Sequence, residues 1–330
     1  MRRNRLGSSA VEVTELSFGA AAIGNLFTVV EPARAAAAVD AAWDEGIRHF
    51  DTAPHYGLGL SERRLGEALR GRSRDSFTLS TKVGRVLDPL PAGATGSGTG
   101  SDALSEGFAV PATHRRRWDF SADGVHRSIE DSLQRLGLDR IDIAYLHDPD
   151  DHAEAAFHEA YPALEKLRAQ GVVGAIGAGM NQTAMLTRFL RDTDIDVVLC
   201  AGRYTLLDQS ALTELLPEAA ARGRSVVVGG VFNSGLLADP RPGATYDYAA
   251  APLSLLDRAL RIKAVTEGHG VPLRAAALHY PLAHPAVAGV LVGTRSPDEV
   301  RDAAALLRRE IPDELWDELR AEGLLTENGH

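Results

Sequence analysis

The chain predicts a single (β/α)8 barrel of the TIM type, one domain over residues 1–330, with long loops after its third and seventh strands. Three observations lead there. Eight short Val/Ile/Leu/Ala-rich runs alternate with amphipathic helical stretches almost from end to end, which suits parallel pairing and closure. Polar residues that do chemistry recur where those runs end, and the end of a strand is where such a barrel carries its functional groups. The segment after the first run, "GAAAIGNLF", lacks the Gly-x-Gly-x-x-Gly spacing that seats a pyrophosphate in an open doubly wound sheet, so that fold stands second.

In chain order the strand-like runs are "LSFGAAA" (16–22), "IRHFDT" (47–52), "SFTLSTK" (76–82), "IDIAYLH" (141–147), "VVGAIGA" (172–178), "IDVVLCA" (195–201), "SVVVGG" (225–230) and "VAGVLVG" (287–293). Helical patterns lie between them at 31–46, 121–137, 161–171 and 296–310, and another follows the "FDTAPHYG" loop. Ser121 and Gly137 bracket one of these as cap and stop, and Gly171 closes another. Two segments break the rhythm. Residues 84–120 form a Gly/Ser/Pro-rich insertion after the third strand, and 231–252 follow the seventh. Long loops of this kind are lids or unstructured segments. Trp118 and Phe120 are costly to leave in water, so the first insertion is expected to fold over the barrel mouth at that end. The run Arg115 to Arg117 reads as a solvated face.

The 330 residues are 45% hydrophobic with a formal charge of −10. That length buries a large core. The acidic balance argues against nucleic acid, which needs a basic face. No run is long enough to span a bilayer, and the basic "MRRNR" start has no apolar stretch behind it, so neither membrane span nor signal peptide is supported. The single cysteine, Cys200, excludes disulfides within the chain and thiolate-rich metal sites, and reads as a buried, inert thiol. A soluble cytoplasmic protein is expected.

The ends of three successive strands carry the chemistry. Asp51 closes the second strand and Tyr56 lies in its loop; Lys82 closes the third strand and His147 the fourth. A free phenol ionises near pH ~10, too high for ready proton exchange at neutral pH. A neighbouring ammonium lowers that value. A carboxylate holds the ammonium charged and in place, and a neutral histidine orients a substrate oxygen. The set suits proton transfer at an alcohol or carbonyl oxygen while a cofactor moves a hydride. Each residue alone has an ordinary structural explanation, as a turn cap, a pocket wall, a surface lysine or a rim histidine. The four together, at matching ends of successive strands, do not. "HDPDDH" (147–152) also invites a metal reading, but Pro149 and the use of His147 in the set of four favour a rim loop, and no metal is expected.

The "FDTAPHYG", "STKVG", "YLHDPD" and "VLVGTRSPDEV" motifs resemble the aldo-keto reductases, and the likeness runs along essentially the whole chain. It implies an Asp–Tyr–Lys–His tetrad at Asp51, Tyr56, Lys82 and His147, a barrel fold, and a nicotinamide dinucleotide bound without a Rossmann domain. "HYGLGLSERRLGEAL", "GAGMNQTAM" and "AGRYTLLDQ" resemble, within that family, the L-fucose dehydrogenase, D-threo-aldose 1-dehydrogenase and pyridoxal 4-dehydrogenase group. The implied reaction is oxidation of an aldose C1 hydroxyl to the lactone with Tyr56 as proton acceptor; Tyr56, His147 and Trp118 would meet the substrate, a small sugar or carbonyl. A pyridoxal or other small-carbonyl oxidoreductase, a non-catalytic nucleotide-sensing subunit and a metal-dependent sugar isomerase are the alternatives. Oligomeric state is left open.

For the cofactor, the glycine turn before a helix capped by Ser296 is an anion site, and the resemblance implies contacts from Gly19, Asp51, Asn181, Phe232, Asn233, Ser234, Gly235, Gly293, Thr294, Arg295 and Glu299. Two positions depart from the family pattern. Ala201 stands where a carboxamide-holding Gln is usual on the sixth strand, and Gly229 where a ring-stacking Tyr is usual on the seventh. Glu299 opposes a 2′-phosphate and accepts from a ribose hydroxyl, while Arg295 favours the phosphate. The balance between NAD and NADP tilts slightly to NAD.

Overall fold

The computed structural model describes residues 1–91, 107–247 and 249–326. Eight parallel strands close into a barrel: β1 (Leu16–Gly19), β2 (His49–Asp51), β3 (Thr78–Val83), β4 (Ile141–His147), β5 (Val173–Met180), β6 (Val197–Ala201), β7 (Ser225–Gly229) and β8 (Val287–Gly293). Their order around the barrel is their order in the chain, with β8 pairing back to β1. All eight expected strands are present, several of them shorter than the apolar runs. The first run bends away after Gly19 into a 3-10 turn at Ala22–Gly24, because alanine favours the helical region once barrel pairing ends.

Alternation divides the side chains between two cores. Phe50 points outward, edge-on to Phe77 at 6.3 Å, into the layer between barrel and helices. Ile143, Tyr145, Ala175, Val197, Leu199 and Val227 fill the inside together with Leu6 and Val13. The last two belong to an antiparallel hairpin, Arg3–Arg5 with Glu12–Thr14, ahead of β1. The sequence shows this stretch only as a basic start with no apolar run behind it. Three-residue strands of mixed polarity carry too little alternation to announce themselves.

The 84–120 insertion is also corrected in part. Arg85–Pro89 and His114–Trp118 pair as an antiparallel hairpin on the mouth side; residues 92–106 lie outside the described residues. Gly84 opens it with φ +106, where a Cβ would meet the Phe120 ring at 2.3 Å. The arginine run is not simply solvated. Arg117 Nε donates to Asp88 and its Nη1 to Asp119, each at 2.7 Å, and Arg116 donates to the His55 carbonyl at 3.0 Å. In the 231–252 segment a 3-10 turn at Asn233–Gly235 and a small hairpin, Thr245–Tyr246 with Ala249–Ala250, replace the expected loop.

Candidate active site

Asp51 and Lys82 reach the barrel mouth because Asp51 ends β2 and Lys82 stands one residue before the end of β3, each on the inward-facing parity, two residues beyond another inward residue (His49 and Ser80). Lys82 Nζ donates to Asp51 Oδ2 at 2.6 Å and to the Thr52 carbonyl at 2.9 Å, with both side chains almost fully buried. The same ammonium stands 4.8 Å from the Tyr56 ring centroid. Burial alone pulls the lysine down, but the charge of Asp51 and the nearness of Tyr56 outweigh it, so Lys82 is held above its ordinary value and stays an ammonium.

The Tyr56 loop is pinned from several sides. Ser61 Oγ bonds Thr52 Oγ1 and donates to the Ala20 carbonyl, both at 2.8 Å. Gly57 sits at φ +62, where a Cβ would fall 2.2 Å from the Gly24 carbonyl oxygen. The next helix, Leu60–Leu69, is anchored by Glu62, which is fully buried, accepts from Arg135 at 2.6 Å and from Thr81 at 2.9 Å.

His147 ends β4 with its ring perpendicular to Tyr56, centroids 6.0 Å apart. Burial, then the positive charges of Arg85 and Lys82, push it well below the ordinary histidine value, so it is neutral and keeps an acceptor nitrogen. Its Nδ1 is buried without a hydrogen-bond partner among the described residues, a polar atom left for a ligand to meet. Sequence reading thus named four residues that the structure does bring together.

It missed the next ring of groups. His55 packs against His147 at 5.6 Å and edge-on to Phe108 at 5.3 Å. Burial, then Arg85 and Arg116, hold it neutral, with a value lowered to about 2. Phe108 stacks on Tyr56 at 5.9 Å. Arg85 bonds Asp148, stands 3.2 and 3.3 Å from the two His55 ring nitrogens, and lies over the Trp118 indole at 4.2 Å. Burial, then its neighbour Asp150, raise Asp148 against the pull of Arg85. Trp118 itself is a rim residue, 44% exposed and stacked on Phe120 at 5.9 Å. The one available sequence signal was adjacency, since His55 precedes Tyr56 and Asp148 follows His147. The acids of "HDPDDH" turn to other work: Asp148 holds Arg85, and among the described residues no cluster of three His, Cys, Asp or Glu is placed to hold a metal.

Beside this site lies a cavity of about 520 Å³. Asn181, Phe232, Asn233, Ser234, Gly235, Gly293, Thr294, Arg295 and Glu299 line it, as do Ala201 and Gly230. Gly19 does not line the cavity; it pairs with Gly293 just behind. Asn233 Oδ1 and Thr294 Oγ1 are buried there without partners among the described residues, which is the state expected of groups that meet a polar ligand. A nicotinamide dinucleotide fits that description: small residues for close approach, orphaned polar atoms, and a helix opening at Ser296, whose hydroxyl accepts from Glu299 N–H at 3.3 Å. At the far end the charges are paired internally. Glu299 accepts the Arg295 backbone N–H at 2.8 Å and stands 3.5 Å from its guanidinium, while Asp302 clasps Arg274.

Comparison with known proteins gives the same picture. Residues 15–322 match the family described as Aldo/keto reductase. The chain is 48% identical over 316 residues, 94% of each sequence, to a D-threo-aldose 1-dehydrogenase of a Pseudomonas species. It is 41% identical over 336 residues, 98% of each, to a pyridoxal 4-dehydrogenase of Microbacterium luteolum. Among solved structures, the holo form of an aldo-keto reductase from Bacillus halodurans superposes with TM-score 0.74 at 26% identity, covering both chains fully.

Proposed function

The chain belongs to the aldo/keto reductase family of oxidoreductases, and on that footing we propose that it oxidises the C1 hydroxyl of an aldose, of the L-fucose or D-threo kind, to the lactone. The observation that carries this reading is the buried Lys82 ammonium, bonded to Asp51 on one side and 4.8 Å from the centre of the Tyr56 ring on the other. An ammonium at a phenol favours phenolate, the form that takes a proton from a hydroxyl. The substrate C1 oxygen lies between Tyr56 and neutral His147; its proton goes to the Tyr56 oxygen as the C–H bond releases hydride and the C=O bond forms. A nicotinamide dinucleotide in the cavity would supply the hydride acceptor, which no side chain can provide. Asn181 and Asn233 would hold its carboxamide side, Thr294 and the Gly293 turn its phosphates, and Phe232 would pack against it in place of the usual strand-seven tyrosine. The 94% mutual coverage with the aldose dehydrogenase supports the substrate class. We read the whole chain as one domain acting in the cytoplasm.

NAD is the preferred cofactor in this reading. Each arginine at the adenosine end is already paired with a carboxylate, Arg295 with Glu299 and Arg274 with Asp302, which leaves a 2′-phosphate facing acids. Glu299→Gln should narrow the gap between NAD and NADP, measured as the ratio of kcat/KM.

A pyridoxal dehydrogenase is the second reading, favoured by the aromatic wall of His55 and Phe108 beside Tyr56, which suits a flat ring. Reduced-nicotinamide absorbance with L-fucose and with pyridoxal, each with NAD and NADP, decides. Signal with L-fucose upholds the first reading, and signal with pyridoxal alone moves the assignment. Dinucleotide binding without turnover of either sinks both in favour of a nucleotide sensor.

A further inference from the structure

Beneath the tetrad runs a file of buried hydrogen bonds that the mechanism above does not use. Ser17 Oγ lies 3.0 Å from the Thr14 carbonyl and 2.9 Å from His49 Nδ1; His49 Nε2 lies 3.1 Å from Ser80 Oγ, and Ser80 Oγ lies 2.7 Å from Asp51 Oδ1. None of Ser17, His49, Ser80 and Asp51 is more than 1% exposed. We propose that His49 and Ser80 are positioning residues for proton transfer: through Asp51 and Lys82 they set how closely the ammonium serves the Tyr56 phenol. The proposal rests on Tyr56 being the proton-transfer group, not on which substrate it serves.

The argument is an inventory of protons. Burial first, then the charge of Lys82, lower His49 to about 3, so the imidazole is neutral and carries one N–H. With one O–H on each serine, three protons serve four links. The acceptor that suffers most from being left empty is the buried carboxylate, so Ser80 points its proton at Asp51. Ser80 can then only accept from His49, which fixes the imidazole proton on Nε2. The unfilled link falls at the far end, around Ser17, where a neutral carbonyl or nitrogen is left wanting. With Oδ1 held by Ser80 and Oδ2 by Lys82, the plane of the Asp51 carboxylate is fixed.

Remove the Ser80 proton, and the uncompensated carboxylate draws Lys82 toward itself and away from the phenol. Tyr56 is faced by Lys82 from β3, by His147 from β4 and by His55 of its own loop. Asp51 stands behind Lys82, Asp148 beside His147, and Arg85 and Arg116 act through His55. Of these, the Ser80 change alters the Asp51–Lys82 geometry alone, so the phenol should ionise at higher pH.

Four variants test this: Ser80→Ala, Ser80→Thr, His49→Leu and His49→Gln. Gln retains an N–H where Nε2 stands, and Leu does not. The readouts are the kcat/KM profile against pH with L-fucose, and the Tyr56 ionisation taken as ultraviolet difference against Tyr56→Phe. Ser80→Ala and His49→Leu should move the ascending limb and the ionisation upward by about one pH unit, while Ser80→Thr and His49→Gln stay near the parent. An unmoved ionisation in Ser80→Ala, or equal shifts in His49→Leu and His49→Gln, would overturn the proposal. If the parent protein does not turn over L-fucose, the substrate assignment falls and the spectroscopic titration still decides the role of His49 and Ser80.

Discussion

At the scale of single residues, the site separates groups that exchange protons from groups that keep them charged or neutral. Tyr56→Phe removes the only exchanging oxygen of the four: turnover should fall by roughly 10²–10⁴-fold while dinucleotide affinity by fluorescence titration stays unchanged. Lys82→Met acts differently. It strands a carboxylate that is 1% exposed, so a stability loss of about 3–5 kcal/mol in denaturant titration should accompany the loss of turnover. The four residues were legible in the sequence because each closes or follows a strand, and strand ends are visible as places where an apolar run stops at a polar residue. Arg85 and Phe108 were not legible. Their roles depend on an antiparallel hairpin between segments about thirty residues apart, with a stretch between them that has no periodicity to read.

At the scale of elements, the two ends of the barrel do separate work. The mouth hairpin reaches the site through Arg85 to Asp148 and His55, whereas the N-terminal hairpin supplies Leu6 and Val13 to the inner core. Leu6→Ala should therefore cost about 2–5 kcal/mol in urea unfolding with KM for substrate and cofactor unchanged; a shifted KM would mean that the two ends communicate. The β/α alternation was readable because parallel strands buried on both faces appear as continuous apolar runs. The N-terminal hairpin was not, since its strands are three residues long and its worth comes from where the barrel floor happens to be.

At the scale of the whole molecule, burial of neutral histidines makes the fold acid-labile. His49, His55 and His147 are held far below the ordinary value near ~6.5 by burial first and by positive neighbours second. The unfolded chain binds protons there that the folded chain refuses, so stability is present above that pH and is lost as pH falls below it. Each contributes a slope of about 1.4 kcal/mol per pH unit. Unfolding free energy should drop by about 4 kcal/mol per unit from pH ~6 to pH ~5 on that account, and His49→Gln should remove about a third of this part of the slope in a pH series of denaturant titrations.

Cys200 lies on β6, next to the cavity-lining Ala201, fully enclosed, its thiol pushed up to about 12 by burial. It is the chain's single thiol. A thiol-trapping reagent can therefore mark this protein only when the barrel opens at that strand, which turns labelling rate into a clock for opening. A dinucleotide seated against the neighbouring residue should slow that clock in proportion to its occupancy. Cofactor choice then becomes readable from mass shifts alone, before any substrate is known.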